Sequence, residues 1–204
     1  MKKSMCMVGA LLLLPSMSFA QDINPQPGFY IGAGAGLENF LNTTSSIGGT
    51  VTGTVGFGLG AFIAGYDFVG PRAELEIAYG QAPITAYLPI GTFSATGHQL
   101  QFMAKVLYDF FPAATVTPYV GAGAGLALIS TGGAFDSTQF AYQGLVGGAW
   151  NIDSNWRLFL EGRYVGTTAP TVNVAGFNVS VPNNNIVAII GGQYKFSPAA
   201  AAPP

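Results

Sequence analysis

Charge is what this sequence has least of. Only 8% of its 204 residues are Asp, Glu, Lys or Arg, where a soluble domain carries about 25%. The seven basic residues form no run and the formal net charge is −2, which excludes the basic face that nucleic acid requires. Half of the residues are apolar, which excludes a disordered polar chain. One cysteine, Cys6, and one histidine, His98, are present, so no Cys/His metal-ligand cluster can be assembled. Long apolar runs are missing too. Residues 110–135 carry no charge, but Pro112, Pro118 and five glycines interrupt them. A spanning helix needs about 18 consecutive apolar residues and tolerates these breakers poorly.

The first twenty residues, MKKSMCMVGALLLLPSMSFA, read as a secretory signal peptide. Lys2 and Lys3 give the positive start, an apolar core runs through Leu14, and Ser18 and Ala20 set cleavage after Ala20. Cys6 falls inside this leader, so the exported chain has no cysteine and folds without disulfides. It retains five basic and nine acidic residues. Residues 21–27 read as a lead-in, and 197–204 (SPAAAAPP) as an Ala/Pro-rich tail.

Glycine is plentiful, at 29 residues, and much of it alternates. The phrase YIGAGAGL at Tyr30 returns as YVGAGAGL at Tyr119. Neither spells a phosphate-binding G-x-G-x-x-G, and neither opens a helix. Period two governs the rest. Leu100, Phe102, Ala104, Val106 and Tyr108 share one phase, and Gln99, Gln101, Met103, Lys105 and Asp109 the other. The same alternation runs through RAELEIAY and WRLFLEGRY. Successive strand side chains point to opposite faces, so each segment has an apolar and a polar face. Eight such segments are expected, at about 28–40, 52–68, 72–81, 97–110, 117–130, 138–152, 156–168 and 185–196. The second changes phase near Gly60, which predicts a bulge.

Aromatic triplets end the even-numbered segments: YDF at Tyr66 and Phe68, YDF at Tyr108 and Phe110, WNI at Trp150, and YKF at Tyr194 and Phe196. Short connections follow the first three, and longer ones, roughly 41–51, 82–96, 131–137 and 169–184, lie at the other end. Short periplasmic turns, long outer loops and a girdle of aromatics at one height are features of outer-membrane barrels. A sheet in lipid must close on itself, because lipid offers no partner for backbone amides. The fold expected is all-β: an eight-stranded antiparallel up-and-down transmembrane barrel over 28–196, both termini periplasmic and loops extracellular.

Eight strands leave an interior barely wide enough for side chains. In the two glycine phrases Tyr30 and Tyr119 face inward with glycines that make room for bulky neighbours. Arg72, Lys105, Arg157 and Arg163 take the inward phase with Glu74, Glu76 and Glu161. Such buried charges persist only when paired, so a salt-bridge plug is expected; its alternative is a water-filled passage lined by the same residues.

The phrases GFYIGAGAGL, GAFIAGYDF, RAELEIAYG, TPYVGAGAGLAL, FAYQGLVGGAW, LEGRYVG and GGQYKF, in that order, resemble the small eight-stranded outer-membrane proteins of Gram-negative bacteria. These include the barrel domain of OmpA, OmpX-type proteins and opacity-type surface antigens. The resemblance implies surroundings of outer-membrane lipid and lipopolysaccharide. It also implies recognition by the barrel-assembly machinery through the last strand, with Ile190, Gly192, Tyr194 and Phe196 supplying the signal. The tail resembles linkers that join some such barrels to a peptidoglycan-binding domain. No cofactor or metal is implied.

Some barrels of this size modify lipid A with serine and histidine near the outer rim. Here His98 stands alone, and Ser94, Ser130 or Ser137 cannot be placed beside it from sequence, so no catalysis is expected. Function then falls to the loops, which rigid scaffolds commonly use for binding. Those at 82–97 and 168–185 carry no charge, and Val172, Val174, Phe177, Val179 and Val181 suggest that the last two strands extend outward to pair with a surface ligand. The reading is a structural or adhesive surface protein; a narrow pore and a lipid A-modifying enzyme are the alternatives.

Overall fold

The structure is a computed structural model that describes residues 25–44, 49–89, 91–130, 137–168, 171–174, 177–180 and 184–196. The leader with Ala20, most of the lead-in and the tail lie outside the described residues. Among the described residues eight long strands form the wall: β1 (Gly28–Phe40), β2 (Val55–Asp67), β3 (Pro71–Leu88), β4 (Gly91–Asp109), β5 (Val116–Ser130), β6 (Ser137–Asn151), β7 (Trp156–Thr167) and β8 (Asn184–Lys195). Each pairs antiparallel with its sequence neighbour, and β8 returns to β1, from Tyr30 opposite Lys195 to Phe40 opposite Asn185. The sheet is therefore a closed ring with no edge along its length. No described helix is long and apolar enough to cross a membrane, which says nothing of a crossing by strands.

Alternation decides which side chains enter. Phe29, Ile31, Leu37, Leu75, Ile77, Phe102, Val106, Leu160 and Ile190 are exposed on the outer wall, while Tyr30, Ile63, Leu107, Tyr119, Leu145, Phe159, Val187 and Ile189 are buried within. The phase change in β2 is real. Ala33 pairs with Phe62 but Gly36 pairs with Gly58, and Leu59 pairs with Tyr79 but Phe62 with Ile77. One extra β2 residue therefore lies between Leu59 and Phe62 against both neighbours, so Gly56 and Ala61 are both buried despite opposite parity.

The tyrosines that open the two glycine phrases each face a glycine on the neighbouring strand. Tyr30 lies across from Gly65 and Tyr119 across from Gly147. A Cβ at Gly65 would come within 2.5 Å of the Tyr30 ring, and one at Gly147 within 2.3 Å of the Tyr119 ring. Each tyrosine covers a glycine on the next strand, the cross-strand pairing that compensates for a missing side chain.

Two expectations require correction. Residues 82–96 are largely strand: β3 and β4 pair continuously from Pro71 opposite Tyr108 to Leu88 opposite Gly91. This hairpin overshoots the wall, and a short strand, Thr50–Gly53, pairs with its β3 side, with Thr43–Thr44 paired outside that. The last two strands do not simply lengthen. β7 ends at Thr167 and β8 begins at Asn184, while Thr171–Val174 and Phe177–Ser180 form a separate two-stranded sheet.

Candidate functional site

The seven inward-phase charges all enter the barrel, and an eighth joins them. Arg72 donates to Glu74 at 2.9 Å and to Asp109 at 3.0 Å. Lys105 bridges Glu74 and Glu76, at 2.6 Å to each. Arg157 donates to the other oxygen of Asp109 at 2.9 Å. Arg163 holds Glu76, with one bond at 2.8 Å, and also Glu161. Asp109 is the group that the sequence balance left out: it lies on the inward phase but next to the turn. With it, four cations meet four carboxylates.

Position in the ring gives these pairs their consequence. β3 and β7 are opposite walls of an eight-stranded cylinder. The Glu76–Arg163 pair runs from one to the other, and Arg157–Asp109 crosses from β7 to β4. Tyrosines complete the lattice. The Tyr30 hydroxyl donates to Glu74 at 2.6 Å and the Tyr119 hydroxyl to Glu161 at 2.9 Å. The Arg72 guanidinium lies 4.9 Å from the centre of the Tyr119 ring, within range for a cation–π contact. Every charged member except Arg157 is almost wholly buried. Ion pairs so placed survive desolvation only with hydrogen bonds to the remaining lone pairs, which the tyrosines and Gln193 supply to Glu74 and Glu161. An apolar cluster containing Ile63, Leu107, Leu145, Phe159, Val187 and Ile189 fills much of the remaining core.

The aromatic positions gather at the short-turn end. Tyr66 packs against Phe68 and Phe29, Tyr108 against Phe110, and Tyr194 against Phe196 and Trp156. Trp150 is exposed on the same wall. Phe29 and Trp156 belong to this belt and open odd-numbered strands; a search confined to strand ends passes over them.

His98 lies near the loop end of β4. Its Nδ1 meets the Tyr79 hydroxyl at 2.7 Å. Ser130 is its register partner on β5, Ser94 instead meets Thr85 at 3.3 Å, and Ser137 accepts from Gln139. Among the described residues no group of three or more His, Cys, Asp or Glu could hold a metal ion.

Comparison with solved structures places the fold. Neisserial surface protein A is 23% identical, with a TM-score of 0.60, covering 84% of this chain and 99% of its own. The outer membrane protein OprG of Pseudomonas aeruginosa is 14% identical, with a TM-score of 0.65, covering 86% of this chain and 99% of its own. The outer membrane protein AlkL in lipid bilayers is 15% identical, with a TM-score of 0.53, covering 90% of this chain and 97% of its own. No curated protein matches. Residues 7–182 match the family described as outer membrane protein beta-barrel domain. With the closed antiparallel ring and its apolar outer wall, this shows that the chain belongs to the outer membrane protein beta-barrel family of the bacterial outer membrane.

Proposed function

We propose that this protein is a sealed, non-catalytic surface scaffold whose loop end makes the contacts. The observation that carries the reading is the ionic lattice joining opposite walls. An ion entering the lumen would have to displace Arg163 from Glu76 and Glu161, and each of those groups is too costly to leave buried and unpaired. The short turns and the aromatic belt mark the periplasmic rim, where amphipathic rings suit the interface. The loops then face outward, surrounded by lipid and lipopolysaccharide. The β3–β4 hairpin, with the short strands beside it, runs beyond its pairing with β2 and β5 on that side, and residues 82–97 hold no charge. This suits contact with an uncharged partner surface. β8, with Ile190 exposed on its outer wall and Phe196 exposed just past its end, suits recognition by the assembly machinery. His98 bonded to Tyr79 supports a structural role over lipid A chemistry.

Planar-bilayer recording of the pure protein tests the seal. The expected trace is flat; discrete, reproducible conductance steps would favour the narrow-pore reading instead.

A further inference from the structure

The outer wall changes character at one height. Along β4 the outward side chains are apolar or aromatic from Tyr108 through Phe102 to Leu100, and then come His98 and Thr96. Along β3 they are apolar or aromatic from Leu75 through Ile77 to Tyr79, and then comes Gln81. Gln81 is the register partner of His98, so polar groups begin at the same level on both strands. His98 lies ten residues from Tyr108 of the aromatic belt. At about 3.4 Å per residue and a tilt of about 40°, that is a climb of about 26 Å, close to the apolar band of about 25 Å that such barrels present. Gln81 and His98 therefore stand at the second interface, at the height of lipid headgroups.

A groove of about 520 Å³ opens there, lined by Val55 and Phe57 of β2, Gln81 and Pro83 of β3, and Thr96 and His98 of β4. Its volume is in the range of small-ligand sites, about 300–1,000 Å³. Its polar side chains are an amide, a hydroxyl and an imidazole. The Tyr79 hydroxyl engages His98 Nδ1 at 2.7 Å, which orients the ring and leaves Nε2 for a ligand. The Gln81 and Thr96 side chains bond to no described residue. Phe57 and Val55 are exposed beside them. No cation stands near. Apart from Lys2 and Lys3, the basic residues belong to the lumen lattice or, for Lys195, pair with Asp67 at the short-turn end.

We propose that this groove binds the neutral sugar headgroup of a glycolipid in the outer leaflet. A sugar ring presents hydroxyls that both donate and accept, and a C–H face that is apolar. The amide, hydroxyl and imidazole match the hydroxyls whichever tautomer His98 adopts, and the Phe57 ring matches the apolar face. The acyl chains then run down the wall past Leu100 and Phe102. A phosphate headgroup would call for Arg or Lys, and the groove has neither. The proposal rests on the outward-facing loop end proposed above and is independent of whether the barrel conducts.

His98 is the only histidine of the chain, so in the untagged protein its ring resonances report on the groove alone. The test folds the full chain into phosphatidylcholine nanodiscs that carry increasing fractions of monoglucosyl diacylglycerol or, in parallel, of phosphatidylglycerol. A saturable shift of the His98 ring signals with the glucosyl lipid alone is expected. Gln81→Leu and Thr96→Val should each raise the fraction of glucosyl lipid at half-saturation about fivefold, the loss of one neutral hydrogen bond. Both substitutions lie on the outer wall, and the heat-induced mobility shift verifies that each variant is folded. No shift, an equal shift with phosphatidylglycerol, or an unchanged half-saturation in both variants would overturn the site. Nanodiscs expose both faces, so this result does not depend on which end faces outward. Labelling of Ser94→Cys on whole cells by a membrane-impermeant maleimide is expected and tests that orientation separately; an unlabelled cysteine would overturn the outer-leaflet placement alone.

Discussion

Val69 occupies the left-handed region, with φ at 66°, and Gly70 follows at 114°. Together they form the two-residue turn between β2 and β3, closed by Phe68 N–H donating to the Pro71 carbonyl. Tight hairpins favour such turns because their twist matches the strands, but they favour Asn-Gly, and a β-branched residue there is an outlier. The Asp67 side chain accepts from the Val69 amide at 2.7 Å and helps hold the strain. Val69→Asn is therefore expected to stabilise the barrel by about 1 kcal/mol, read as a rise in the urea midpoint of unfolding in lipid vesicles. Glu76 is a second residue with a definite sign. Replacing it with Gln leaves Arg163 and Lys105 short of their shared carboxylate. Breaking one side of a buried ion pair costs about 3–5 kcal/mol, so Glu76→Gln should lower the same midpoint sharply. An unchanged midpoint would mean that the lattice contributes nothing to holding the walls together. The two variants move the midpoint in opposite directions for unrelated reasons, one through backbone conformation and one through charge.

At the level of elements, strict alternation made most of the wall legible. β1, β4, β5 and β7 carry one apolar face and one polar or glycine face, so their phase and approximate ends follow from the residues alone. Even the β2 bulge showed as a change of parity near Gly60. The β3–β4 hairpin was legible only in its lower half. Above Gln81 β3 runs past its pairing with β2, so no closed lumen selects side chains on one face. Pro83, Gly91 and Gly97 then imitate loop punctuation, although backbone pairing continues through Pro83 opposite Thr96. The setting of Glu38 was hidden for another reason. Its inward phase could be counted from Gly36, but its resting against Gly80 depends on the register of three strands and on the bulge between them. Asp109, likewise, is one residue on a known phase whose partner, Arg157, comes from across the ring. The upper hairpin yields a test. Below it, β2 from Phe57, together with β5 opposite His98 and beyond, still clamps β3 and β4. Replacing residues 84–95 with a two-residue turn should leave the heat-induced mobility shift intact while abolishing any surface contact made through that hairpin. Loss of the folded band would show instead that the projecting strands belong to the barrel's own stability.

For the whole molecule, closure is the property on which the others depend. Eleven residue pairs join β1 to β8, and eleven join β8 to β7. Without β8, both β1 and β7 would present open rows of amides and carbonyls to hydrocarbon, where each unpaired group costs several kcal/mol. The interior would suffer as well. Gln193 donates to Glu74, Asn185 to Glu38, and Val187 and Ile189 belong to the apolar cluster that packs the lumen. A chain stopped after residue 183 is therefore expected to lose membrane insertion altogether, not to form a seven-stranded, slightly weakened barrel. Protease treatment of outer-membrane fractions makes the distinction. The full chain should survive as a resistant core that migrates differently before and after heating; the shortened chain should be degraded and show one mobility. A protease-resistant, heat-shifting band from the shortened chain would require the ring to close between β1 and β7. That closure would bring Tyr30 and Glu38 against β7 without their β8 partners, and the same band would then show that the cross-lumen lattice, anchored on β3, β4 and β7, suffices to draw the two ends of the sheet together.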